Sequence, residues 1–101
     1  MLRMSFYFSK TGHMKFISHL DLMRLLTRAL RRAGVPVKIS EGFNPHPKLS
    51  IARAIKLGVE SEREEAAILL REPMNAIDFR DRLNSRLPEG IRIADAVPTF
   101  Y

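Results

Sequence analysis

Four arginines, Arg24, Arg28, Arg31 and Arg32, recur at spacings of three and four residues. On a helix those spacings project the guanidinium groups from one side. Each planar guanidinium can grip a phosphate through two N–H groups, and each phosphate so neutralised adds a salt-dependent increment to binding. Only Asp21 stands close enough in the chain to pair with one of them. The plainer reading of the row is a solvated outer helix face.

A second cluster is the loop Ser40-Glu41-Gly42-Phe43-Asn44-Pro45-His46-Pro47-Lys48. The two prolines bracket His46 and restrict the backbone on either side of it. Asn44, His46 and Lys48 supply donors, and Phe43 supplies a flat apolar face. Base stacking on Phe43 with Lys48 on a phosphate would make a single-stranded RNA contact, and Lys38 just upstream extends the cationic set. The plainer reading has Phe43 plugging the edge of the core and His46 bonding the loop to itself.

Catalysis has only two histidine candidates, His19 and His46, which with Asp21 could form an acid–base pair of the kind used in metal-independent RNA cleavage. No spacing brings them together, and His19 is expected to pack on the apolar side of its helix. The three histidines have no i, i+4 spacing, so no metal site is expected. A phosphate-cradling glycine loop and a nucleophile elbow are both absent. No cofactor is expected.

The elements that position these residues follow from periodicity. Leu2, Met4, Phe6 and Phe8 alternate with Arg3, Ser5, Tyr7 and Ser9, which predicts a strand with one buried face. After the break at Thr11-Gly12-His13, the segment Met14–Ile17 is read as continuing or pairing with that strand. Ser18 and Asp21 have the form of a capping box. Leu22, Leu25, Leu26, Ala29, Leu30 and Ala33 make the buried stripe of a helix that Gly34 and Pro36 end. Val35–Ile39 is read as a short strand, and Leu49, Ile51, Ile55 and Leu57 as the apolar face of another, with Arg53 a misfit on it. Val59–Glu72 is ambiguous between helix and strand. Asn75 caps a helix carrying Phe79, Leu83 and Leu87, and a last strand starts at Ile91 and is expected to fade before Pro98. If the ambiguous region is a strand, the order is β-α-β-β-α-β. The fold class is then α+β, a ferredoxin-like split βαβ with an antiparallel sheet and two helices on one face. A helix there would leave the sheet an open edge.

The chain has 101 residues, 46% of them hydrophobic, and no cysteine. That length predicts one domain over residues 1–101. Without cysteine there is no disulfide, no iron–sulfur cluster and no cysteine-rich zinc site, which fits a reducing cytoplasm. The first residues do not have the pattern of a secretory signal, and no apolar run is long enough to span a membrane. The net charge of +6 is unevenly spread. Residues 1–58 hold eleven basic residues against Asp21 and Glu41, a balance of +9, whereas residues 59–101 hold six basic and nine acidic ones, a balance of −3. A polyanionic partner for the first half is the inference.

Three segments carry a resemblance: Phe16-Ile17-Ser18-His19-Leu20-Asp21-Leu22, the loop from Ser40 to Lys48, and Gly58-Val59-Glu60-Ser61-Glu62. In that order they resemble the radical-SAM-linked protein family, a bacterial domain of unknown function. The family's domain is about twice this length, so the chain is similar to its N-terminal half or to a short member. The resemblance implies a domain encoded beside, or fused to, a cobalamin-binding radical SAM protein, and in some members joined to an RNase E/G-type ribonuclease. It implies work on RNA and transfers no catalytic residue. It also favours a strand at Glu65–Arg71. The segment Arg53-Ala54-Ile55-Lys56 departs from it, being more polar than the apolar, proline-containing strand expected there. A radical SAM enzyme needs three cysteines for its cluster, so this chain would be a partner of one.

The expectation is thus a non-catalytic RNA-binding accessory domain acting on transfer or ribosomal RNA beside a radical SAM enzyme or ribonuclease. Its contacts would be Arg24, Arg28, Arg31, Arg32, Lys38, Phe43, Asn44, His46 and Lys48. A protein-docking module for a radical SAM partner is the alternative, and an RNA-processing enzyme using His46 the third reading. A split sheet of this kind also permits a homodimer by edge pairing.

Overall fold

The alternation at the N-terminus does form a strand, β1 (Leu2–Lys10), in a computed structural model that describes residues 2–100. Helix α1 (His19–Arg32) follows, then β2 (Leu49–Ile51), β3 (Ser61–Leu70), α2 (Ala76–Asn84) and β4 (Ile91–Phe100). The sheet order is β2-β3-β1-β4 with every neighbouring pair antiparallel. This is the α+β arrangement of a ferredoxin-like split βαβ. The strand expected at Glu65–Arg71 is present as part of a longer β3 that runs from Ser61 to Leu70, one residue short of Arg71.

Both helices pack on the face of β1 that carries Met4, Phe6 and Phe8. Leu22, Leu26 and Leu30 of α1 and Phe79 and Leu83 of α2 are buried with them in one core, and the rings of Phe6 and Phe79 lie 5.4 Å apart. Across the sheet Met4 pairs with Ile68 and Phe6 with Ala66, so β3 adds its own alternate residues to the same core. The other face of the sheet carries no helix.

The caps form largely as their sequences suggest. Ser18 Oγ accepts from the Asp21 N–H at 3.1 Å, although the Asp21 carboxylate lies near Arg24, at 3.7 Å, and makes no return bond to the cap. Asn75 Oδ1 accepts from both Ile77 and Asp78. At the end of α1 the N–H of Gly34 reaches Arg31 O and that of Val35 reaches Leu30 O, a Schellman closure whose turning residue needs the left-handed backbone found at Gly34, φ +71°. That closure turns Val35 into the core.

Four local expectations are corrected. Met14–Ile17 does not continue β1: Gly12–Phe16 is a 3-10 turn, because the Thr11 N–H is drawn to Gly90 O at 2.8 Å. Gly90 must be glycine there, since a Cβ would stand 2.6 Å from Thr11 O. Val35–Ile39 makes only single bridges, Val37 to Leu70 and Ile39 to Pro47. Pro36 has no N–H, and the Val37 N–H folds back on Val35 O. The strand expected over residues 49–57 stops at Ile51, because Arg53 swings out to bond Glu64 instead of entering the core. Finally β4 does not fade before Pro98 but runs to Phe100, with Pro98 opposite Met4. An edge strand tolerates proline because its outward N–H has no ladder partner to lose. Among the described residues no helix is long and apolar enough to cross a membrane.

Candidate nucleic-acid interface

On α1 the apolar stripe turns Leu22, Leu26, Ala29 and Leu30 inward and thereby turns Arg24, Arg28, Arg31 and Arg32 out into solvent. Arg24 reaches Asp21 only at 3.7 Å. Among the described residues Arg28, Arg31 and Arg32 have no acidic partner within ion-pair distance. Like charges so close on one helix face repel, at a cost that an arriving anion relieves.

The two clusters that are separate in the sequence meet here. His46 and Arg24, Arg28 and Arg31 line one open depression of about 510 Å³, floored by Leu20, Met23 and Thr27. The loop is closed on itself around Ser40, whose N–H donates to His46 O at 2.8 Å and whose Oγ accepts from the His46 N–H at 3.1 Å. The imidazole joins this closure: Nδ1 lies 2.7 Å from Asn44 O and 3.2 Å from Ser40 Oγ. A carbonyl oxygen can only accept, so Nδ1 carries the proton and Nε2 of the neutral ring is left as an acceptor. The expected self-bonding of the loop and the expected recognition role of His46 thus use different ring nitrogens.

Phe43 does not plug the core. At 105% relative exposure its ring is wholly in solvent, free to stack. Asn44 is exposed too, its carbonyl serving His46. Lys48 goes elsewhere: with Arg3, Ser50 and Leu69 it lines a separate depression of about 390 Å³ on the helix-free face of the sheet. Lys38 is exposed, its N–H donating to Leu69 O at 2.8 Å. His19 is exposed at the first turn of α1 rather than packed, because the buried stripe begins only at Leu22, and it does not line the depression that holds His46. Among the described residues no group of three or more His, Cys, Asp or Glu could hold a metal ion.

A family profile described as an uncharacterized protein conserved in bacteria (DUF2344) matches residues 3–100. The chain belongs to this bacterial family. No curated protein matches it.

Sequence reasoning missed a second ionic cluster inside the fold. Lys10 and Glu64 are both buried. Glu64 accepts from Arg53 Nε at 3.0 Å, from Arg53 NH2 at 2.7 Å and from Ser61 Oγ at 2.6 Å, while Lys10 Nζ donates to Lys56 O at 3.2 Å. The Arg53 fork holds the Glu64 carboxyl below its ordinary value, against the opposing effect of burial; Ser61 and the Lys10 charge act in the same sense as Arg53. The signal was present in the period-two count, which places Lys10 on the same face as Phe6 and Phe8. On the helix-free face, Tyr7 donates to Glu65 Oε1 at 3.0 Å, a bond that lifts its phenol above 10.0. The Arg63 guanidinium sits 4.1 Å from the Tyr7 ring centre and bonds Asp95 at 3.0 Å.

Proposed function

We propose that the chain is a non-catalytic RNA-binding accessory domain that presents RNA to a radical SAM enzyme or a ribonuclease during modification or maturation of transfer or ribosomal RNA in the bacterial cytoplasm. The observation that carries the reading is the depression in which His46 of the loop joins Arg24, Arg28 and Arg31 of α1, with the ring of Phe43 free in the same loop. The arginines hold phosphates, Phe43 stacks on an unpaired base, and His46 Nε2 accepts from a base or a ribose hydroxyl. The radical SAM partnership rests on the resemblance of the motif segments, and the absence of cysteine makes the chain the partner and not the enzyme.

The test is affinity for single-stranded and transfer RNA across a salt series. The expected logarithm of the binding constant falls linearly with that of salt, and Ala at Arg24, Arg28 and Arg31 together removes about 2 from a single-strand slope, at roughly 0.7 per phosphate. A flat salt dependence, or an unchanged slope in the triple variant, overturns the reading. One observation favours a second reading, docking on a protein: Leu20, 59% exposed, contributes an apolar patch to the same depression. Co-purification with a radical SAM protein that survives high salt without RNA would support that alternative.

A further inference from the structure

Beside the first depression lies another, of about 430 Å³, between α1 and the turn that follows α2. Arg28 and Arg32 enter it from α1 and Arg86 from that turn, over an apolar floor that includes Leu25, Leu87 and Pro88. Arg28 lines both depressions. Among the described residues Arg86 shares with Arg71 and Arg92 the lack of an acidic partner in its half of the chain, and of these three it alone lines this depression. Arg63, Arg80 and Arg82 are each paired with an aspartate, whereas Arg86, Arg28 and Arg32 have no acidic partner among the described residues. Three guanidinium groups from two elements, held around one concavity without a counter-charge, make a site for an anion.

We infer that Arg28, Arg32 and Arg86 form a second phosphate subsite, so that one polynucleotide strand runs from His46 across Arg28 to Arg86. This inference rests on the RNA-binding reading and extends it to a residue in the acidic half of the chain. From Arg24 to Arg32 the helix rises about 12 Å, enough to carry more than one phosphate along its axis. The Leu25, Leu87 and Pro88 floor gives a base or ribose an apolar surface between them. The turn residues Ser85 and Arg86 are held by bonds to the end of α2: the Ser85 N–H reaches Asp81 O and the Arg86 N–H reaches Leu83 O. The backbone that carries the third arginine is thereby set before any ligand arrives.

The experiment measures binding of a ten-nucleotide oligouridylate to the full chain, its Arg86→Ala variant and its Arg31→Ala variant over a salt series, with thermal unfolding as a check on folding. Both variants are expected to lose about fivefold in affinity near 0.1 M salt and about 0.7 from the slope. Arg86→Lys keeps the charge and is expected to retain the slope with weaker binding. If Arg31→Ala weakens binding and a folded Arg86→Ala does not, the second subsite is refuted and the first stands. If the unaltered protein binds no RNA, both fail together.

Discussion

The exposed face of α1 and the part of the helix-free sheet face around Tyr7 both carry charge, and they use it differently. On the sheet, around Tyr7, the charges are spoken for: Arg63 lies over the ring and bonds Asp95, and Tyr7 bonds Glu65. On α1 the nearest acid is Asp21, at 3.7 Å from Arg24 alone. Exposed ion pairs of the first kind contribute only about 0.2–1 kcal/mol and leave little field for a ligand. Arginines without an acidic partner keep their field for a ligand. The lesson is that net charge by itself, +6 here, singles out no surface; the distribution of counter-charges separates these two.

The strongest way to sharpen this contrast is to remove a charge that folding does need. Glu64→Gln leaves Lys10 buried with its countering charge gone and is expected to cost about 3 kcal/mol, read as a lower midpoint in thermal or urea unfolding, with RNA affinity unchanged where the protein is folded. The same residue sets a pH signature. Its carboxyl is held below the ordinary 4.5 in the folded chain, so its stabilisation is complete above that value and is lost as pH falls through the folded one. The unfolding midpoints of Glu64→Gln and the unaltered protein should therefore differ near neutral pH and converge in acid. Parallel curves down to strong acid would refute the assignment.

The reverse pattern is expected on α1. Ala at Arg24, Arg28 and Arg31 together should weaken single-strand RNA binding about 100-fold near 0.1 M salt and leave stability unchanged or slightly raised, as mutual repulsion is relieved. A large loss of stability without loss of affinity would break the contrast between the faces. A smaller effect is expected at Asn75, whose side chain accepts two N–H groups of α2. Asn75→Ala should cost about 1 kcal/mol in unfolding experiments with no change in RNA binding. The smallest effect belongs to the sheet: Arg63→Ala should move stability by less than about 1 kcal/mol and RNA affinity not at all. Equal losses for Arg63→Ala and Arg31→Ala in a binding titration would mean that the helix face has no special role.

Much of the architecture was legible because burial follows period. The stripe from Leu22 to Leu30 and the alternation from Leu2 to Phe8 each have one solution, and both appear as read. Boundaries were legible only where the cap is local, as at Ser18, Gly34 and Asn75. Where a distant partner decides, sequence reasoning failed. Gly90 sets the path of Thr11 from 79 residues away, Glu64 draws Arg53 out of β2, and Asn84 ties down β4 by donating to Ile93 O at 3.0 Å and accepting its N–H at 2.7 Å. That amide occupies the backbone groups an added strand would use at Ile93. Arg86 carried no signal, because what distinguishes it from the equally unpaired Arg71 and Arg92 is the depression it shares with Arg28 and Arg32.

The amino-acid order alone determined β1, the two helices, the basic character of the first half and the residue types at the candidate contacts. These depend on periodicity, propensity and charge, which are properties of short stretches. Which contacts share a surface was decided by tertiary structure. Folding carries His46 to the arginines of α1, sends Lys48 to the sheet, and adds Arg86 from the acidic half. The physical reason is that a charge acts through space: its worth to a ligand depends on which groups lie within a few ångströms, and chain order does not specify that until the core has closed.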